Sequence, residues 1–83
     1  MSEAENRGES HKARLLDVER ILYLRTNQRH RMSILQIVDA LGLPRTQNNA
    51  RNVRSDVRTL REYGRPIAAE RHKTREYYWA GKR

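Results

Sequence analysis

The chain contains no cysteine and no phenylalanine, only two prolines, and ten acidic residues against eighteen lysines and arginines. The absence of cysteine excludes disulfides and thiolate metal sites. No apolar stretch approaches the roughly 18–20 residues that cross a bilayer, and the N-terminus has no signal-peptide core. We therefore expect a protein that has no membrane partner and works inside the cell.

At 83 residues the chain is long enough for one small domain. Its 16 leucine, isoleucine and valine residues are few for a folded protein, but all lie between Leu15 and Ile67 at regular spacing. That placement predicts a folded core. A core this small is marginally stable, so a second subunit or a ligand is expected to add stability.

The charge is mostly arginine and is spread unevenly along the chain. There are 15 arginines and three lysines, for a net charge of +8, and residues 45–83 carry 11 basic against four acidic residues. A basic second half favours a polyanionic partner, which means DNA, RNA or an anionic membrane surface. A merely solubilising surface is the alternative, although acidic residues would serve that purpose equally well.

Helical periodicity separates an N-terminal tail from a first helix. Residues 1–9 are polar and aperiodic, which predicts a flexible N-terminal tail, and Ser10 is a suitable N-cap for a first helix over residues 11–26. The inner stripe of that helix would consist of Leu15, Val18, Ile21 and Leu22, widened by Leu16 and Leu24. Residues 27–31 form a basic connector, and residues 30–32 are an alternative short strand.

A second and a third helix follow. Ser33 and Gln36 have the spacing of a capping box, and the helix they open ends at Gly42. The third helix begins between Thr46 and Asn49 and ends at Gly64. Its apolar stripe is Ala50, Val53, Val57 and Leu60.

The pattern then changes to two extended segments, residues 66–71 and 75–80, joined by a charged turn. Three helices followed by a hairpin predict a mainly α fold with a small β-hairpin (α+β), a winged helix-turn-helix over residues 10–80. Residues 81–83 would form a basic C-terminal tail.

The third helix opposes its apolar stripe with a polar face. Asn48, Arg51, Ser55 and Arg58 point away from the stripe, and Asn52 and Arg54 lie on the flanks. Arginine, asparagine and serine bond phosphate oxygens and base edges in the major groove of DNA. The pattern therefore predicts a recognition helix.

Residues 52–67, Asn-Val-Arg-Ser-Asp-Val-Arg-Thr-Leu-Arg-Glu-Tyr-Gly-Arg-Pro-Ile, resemble part of a known module. In the N-terminal winged helix of bacterial DeoR-type and WYL-domain regulators, an Arg-Thr-Val-Arg-Arg-Asp-Ile-like helix runs into Leu-Arg-Glu-x-Gly and a Pro-Ile wing strand. Residues 34–43 resemble the first helix of that module's helix-turn-helix, and the resemblance covers about residues 32–80.

Two departures from the family pattern stand out. The stretch from Gly42 to Asp56 contains more residues than the family's usual turn allows. Residues 44–49 are therefore either a longer turn or an extension of the recognition helix. The family's sensor domain is missing, so we expect no small-molecule effector. In that family the acidic residue at the position of Asp56 looks structural. We therefore expect Asp56 to face the core.

Together these features predict a sequence-specific double-stranded DNA-binding protein, a small transcriptional repressor associated with the nucleoid in the cytoplasm. The helix at about residues 47–63 would enter the major groove, and the wing at about residues 66–80 would lie on the backbone or in the minor groove. The candidate DNA contacts are Arg45, Gln47, Asn48, Asn49, Arg51, Asn52, Arg54, Ser55, Arg58, Arg71, His72, Lys73 and Arg75. A homodimer is expected, with the first helix as its surface through Leu16 and Leu24.

Two other functions fit the same features. One is an excisionase-like or architectural DNA-binding accessory factor, and the other is a winged helix that binds protein or RNA. We expect no enzyme activity, because Ser10, His11 and Asp17 make a poor triad. We also expect no cofactor. The three histidines lie in separate segments without metal-ligand spacing, so no metal site is expected.

Overall fold

The computed structural model describes residues 3–71 and 74–81, with side chains from residue 11 onwards. Its elements follow in the order α1 (Glu3–Arg25), β1 (Met32–Ser33), α2 (Ile34–Ala40), α3 (Gln47–Glu62), β2 (Ile67–Arg71) and β3 (Arg75–Trp79). The strands form one antiparallel sheet in the order β1-β3-β2. The α+β class with three helices is confirmed, and a short third strand joins the expected hairpin.

The start of α1 differs from the sequence-based expectation. The helix begins at Glu3, so Ser10 lies within it and the prediction that Ser10 is the N-cap is wrong. The backbone of residues 3–9, which we expected to form a tail, is helical. Residues 3–5 are Glu-Ala-Glu, which are good helix formers, and a helix already nucleated continues through Gly8 and Ser10 at modest cost.

Local signals set the ends of α2 as predicted. The Ser33 hydroxyl accepts a hydrogen bond from the Gln36 N–H at 3.2 Å, and the Gln36 side chain accepts one from the Ser33 N–H at 2.8 Å. At the other end Gly42 has a φ of 75°, which glycine adopts without a steric penalty. Its N–H donates to Asp39 O, which closes the helix in a Schellman motif.

The turn between α2 and α3 resolves the ambiguity over residues 44–49. Thr46 is the N-cap of α3, and its side-chain oxygen accepts a hydrogen bond from the Asn49 N–H at 3.0 Å. Residues 44–46 therefore belong to a longer turn, and residues 47–49 are the first turn of the helix. α3 ends, as expected, just before Gly64, whose φ is 89°.

The short strand begins two residues later and ends one residue later than the alternative considered from sequence. β1 is Met32–Ser33, and it pairs with Tyr77 and Glu76 of β3. Residues 27–30 are unavailable for pairing because they form a turn. In that turn the Asn27 side chain accepts hydrogen bonds from the N–H groups of Arg29 and His30.

The core lies between the three helices and the inner face of the sheet. It contains most of the expected stripes of α1 and α3 together with residues of α2 and two strand residues: Val18, Leu22, Ile34, Ile37, Val38, Val53, Val57, Leu60, Ile67 and Tyr77. A buried hydroxyl ties the end of α1 to the sheet. Thr26 donates to Leu22 O and accepts from the Trp79 N–H at 2.9 Å.

Among the described residues, Asp56 is the buried charge of the fold. It is 1% exposed, and Arg14 of α1 donates to both of its oxygens, from Nε at 2.6 Å and from Nη2 at 3.1 Å. The hydrogen bond to the carboxylate raises the pKa of Arg14 above its ordinary value. Asp56 thus faces the core side, as expected, and fixes which side of α3 turns towards α1.

We expect Asp56→Ala to lower the free energy of unfolding by about 2–4 kcal/mol, because it leaves the partly buried Arg14 guanidinium without its carboxylate. Urea denaturation followed by circular dichroism measures the change. The matched control is Asp39→Ala, which removes the other bidentate aspartate–arginine pair, but from the surface. Equal losses in the two variants would contradict a special role for Asp56.

Candidate nucleic-acid interface

The outward face of α3 is polar and basic, as the sequence predicted. Arg51, Arg54 and Arg58 are exposed, while Val53 and Asp56 on the other side are buried. Three further candidate residues on this helix are also exposed: Gln47, Asn48 and Ser55. The helix therefore presents three guanidinium groups to solvent along one side.

Two of the candidate asparagines do not lie with these arginines. Asn49 and Asn52 are half-buried, and the Asn49 amide donates to Pro44 O at 2.8 Å. Asn49 therefore holds the α2–α3 turn instead of extending outwards beside Asn48. Asn52 is two residues, or about 200° of helix, from Arg54 and so faces a different side of α3.

The β2–β3 hairpin adds two more arginines. Arg71 and Arg75 are directly opposite each other in the strand register, on the sheet face that also carries Tyr77. Like charges in directly opposed positions destabilise a hairpin. The hairpin therefore tolerates a repulsion that a bound anion would relieve.

These two arginines and Arg54 of α3 meet at one cleft, which we call the arginine cleft. Among its described lining residues there are three arginines and no carboxylate. The lining consists of Ser33, Ile34, Leu35, Ala50, Arg54, Arg71, Thr74, Arg75 and Tyr77. Guanidinium groups bind phosphate oxygens through paired hydrogen bonds, so the cleft has the chemistry of a phosphate site.

A second groove adjoins the cleft and contains residues that we did not expect. It is lined by Arg54, Val57, Arg58, Arg61, Glu62, Arg75 and Tyr77. Arg61 was missed, although its spacing of three from Arg58 and seven from Arg54 places it on the same helix face. Leu35, 40% exposed at the arginine cleft, had no sequence signal because only the tertiary packing brings α2 beside the hairpin.

The arginines divide into paired and unpaired groups. Four form ion pairs with carboxylates: Arg14 with Asp56, Arg31 with Glu70, Arg45 with Asp39 and Arg65 with Glu19. Within residues 11–71 and 74–81, the arginines of α3 and the hairpin have no such partner: Arg51, Arg54, Arg58, Arg61, Arg71 and Arg75. Arg20, Arg25 and Arg29, on α1 and the loop after it, are also unpaired among these residues. The uncompensated positive field is thus densest on α3 and the hairpin.

Arg45, a candidate contact in the turn before α3, is engaged with Asp39. Its Nε donates to Asp39 Oδ1 at 2.9 Å, and both side chains are about half exposed. The hydrogen bond lowers the pKa of Asp39 and raises the pKa of Arg45. A phosphate would have to compete with this carboxylate for Arg45.

The hairpin aromatics pack within the protein. Tyr77 is buried, and Trp79 meets Tyr23 of α1 edge to face, with ring centroids 5.2 Å apart. Tyr78 is on the other sheet face, where the Arg31 guanidinium lies 5.3 Å from its ring centroid. The candidate contacts His72 and Lys73 lie outside the described residues.

Comparison with known protein families, curated proteins and solved structures finds no match to this chain. The resemblance to DeoR-type and WYL-domain regulators therefore stays a prediction from sequence. No helix in the described part of the chain is long and apolar enough to cross a membrane.

We expect Arg45→Ala to raise the pKa of Asp39 towards the ordinary aspartate range, because the variant removes the hydrogen bonds that favour the carboxylate. In the native protein the pairing is present at neutral pH and is lost as the pH falls through the lowered pKa of Asp39. NMR titration of the Asp39 carboxyl carbon measures both values. An unchanged pKa would show that the pair does not persist in solution.

Proposed function

We propose that this chain is a winged helix-turn-helix protein that binds double-stranded DNA with sequence specificity and represses transcription by occupying its operator. The observation that carries the proposal is the arginine cleft. There Arg54, Arg71 and Arg75 converge from a helix and a hairpin without a described carboxylate among them.

The arrangement of elements supports the winged-helix assignment. Two helices, α2 and α3, are joined by a defined turn, and the β2–β3 hairpin lies beside the second of them. In a helix-turn-helix the second helix enters the major groove. In this proposal the hairpin is the wing.

α3 has the dimensions and the side chains for the major groove. Its 16 residues span about 24 Å at 1.5 Å per residue, and a groove about 12 Å wide admits a helix. Arg51 and Arg58, exposed on the outer side, are the proposed base-reading residues, since arginine pairs with guanine O6 and N7. Asn48 is the proposed contact to adenine N6 and N7.

Arg54 takes a different role in this proposal. It lines the cleft together with Arg71 and Arg75, so the three guanidinium groups would hold backbone phosphate between α3 and the wing. Such contacts position a protein on the duplex without specifying sequence. They also release counterions, which makes the affinity depend on salt.

The same geometry favours DNA over duplex RNA. The major groove of A-form RNA is too deep and narrow for side chains to read. An exposed arginine-rich helix therefore fits B-form DNA better.

Selection of bound sequences from a random duplex library tests the proposed specificity. We expect enrichment of one motif, and a reporter gene placed behind that motif should lose expression when the protein is present. Binding without an enriched motif, accompanied by bending or coating of the DNA, would indicate an architectural factor instead. Failure to bind duplex DNA at all would overturn the proposal.

We expect Arg58→Ala to weaken binding to the selected motif by about 1–3 kcal/mol and to relax the preference at one base position. The measurement is a competition titration against single-base variants of the motif. Arg25→Ala, which removes an exposed arginine at the end of α1, is the matched control for charge. A uniform loss across all base variants would make Arg58 a phosphate contact.

We expect Arg75→Ala to weaken binding to every duplex alike and to reduce the slope of log K against log salt by about 0.9, the value for one phosphate contact. Titrations at several salt concentrations give the slope. An unchanged slope would remove the hairpin from the DNA interface.

A further inference from the structure

α1 carries apolar side chains on two opposite sides. Val18 and Leu22 are buried in the core, whereas Leu16, Tyr23 and Leu24 on the outer side are 62%, 51% and 64% exposed. A helix on a protein surface ordinarily has one apolar stripe, facing the core. Burial in the core therefore does not account for Leu16 and Leu24 on the second side.

The exposed residues form one continuous surface. Tyr23 meets Trp79 edge to face at 5.2 Å, and both contribute to a shallow groove with the two leucines. We call this surface the α1 patch, lined by Leu16, Glu19, Arg20, Tyr23, Leu24 and Trp79. Contiguous apolar surface of this kind marks interaction sites more often than scattered exposed leucines do.

The α1 patch lies away from the proposed DNA surface. α1 packs against the side of α3 that carries Asp56, through the ion pair with Arg14. Arg54 and Arg58 are on the opposite side of α3, two residues away from Asp56 along the helix. A molecule that covers the patch therefore leaves the arginine cleft open.

The charges around the α1 patch are of both signs. Lys12 and Arg20 are exposed on the outer side of α1, and Asp17 and Glu19 lie among them. Glu19 is also paired with Arg65, so three basic and two acidic side chains give this surface a net charge of +1, against +8 for the whole chain. Two copies of so basic a chain repel each other, and contact through a surface with a small net charge lowers that repulsion.

We infer that the α1 patch is a homodimer interface and that its occupant is a second copy of this chain. A two-fold interface requires a surface complementary to itself, and a patch with apolar side chains at its centre and both signs of charge around it meets that requirement. The inference rests on α1 and β3 alone and does not depend on DNA binding.

Sedimentation equilibrium of the full chain over a range of concentrations tests the interface. We expect a reversible equilibrium between a 9.9 kDa monomer and its dimer. Leu16→Glu should raise the dimer dissociation constant at least tenfold, because it buries a carboxylate in the interface. Leu35→Glu makes the same change at another exposed leucine, in the arginine cleft, and should leave the constant within about twofold of the native value.

A monomer at every concentration would overturn the inference, as would equal effects of the two variants. Circular dichroism checks that Leu16→Glu remains folded, which its exposure leads us to expect.

Because the chain has no cysteine, a single introduced cysteine reports the interface by a second route. Under mild oxidation Leu24→Cys should form a disulfide-linked dimer faster than Leu35→Cys does. Equal rates, or a faster rate for Leu35→Cys, would place any self-association elsewhere. This measurement stands even if the glutamate variant fails to fold.

Discussion

The ion pair between Arg14 and Asp56 determines which way α3 faces. A carboxylate that is almost fully buried is costly unless it is paired, so α3 must turn Asp56 towards α1. With that side fixed, Val53 and Val57 enter the core, and Arg58 is left in solvent. This one orientation leaves the basic face exposed and brings Arg54 to the cleft beside the hairpin. It also keeps the α1 patch away from both.

Charge pairing separates the arginines that hold the fold together from those available to a partner. The paired arginines link segments of the chain, as Arg65 does by reaching Glu19 of α1 and Arg31 by reaching Glu70 of β2. The arginines of α3 and the hairpin have no such partners among the described residues, and Arg71 and Arg75 are directly opposed. This excess repulsion on one surface is the physical basis of the proposed polyanion binding.

Signals that act within a few residues were predictable. The capping box at Ser33 and the glycine ends of two helices follow from local hydrogen bonding and from the need for a positive φ. The extra turns of α1 before Ser10 were not predicted, because Gly8 and Ser10 are weak helix formers and serine is favoured at an N-cap, so the local signal indicated a helix start at Ser10. The site was predicted in part: the basic face of α3 is present, but Asn49 holds the turn and Arg61 was overlooked.

The sequence by itself determined the helices, their buried stripes, the hairpin and the concentration of arginine in the second half of the chain, since each depends on neighbouring residues. Only the tertiary structure decided which arginines are paired. Arg14 and Asp56 are 42 residues apart, and Arg54 reaches the hairpin only because α3 packs beside it. Periodicity along one helix contains no information on which charge from a distant segment will face it, and that depends on how the elements pack.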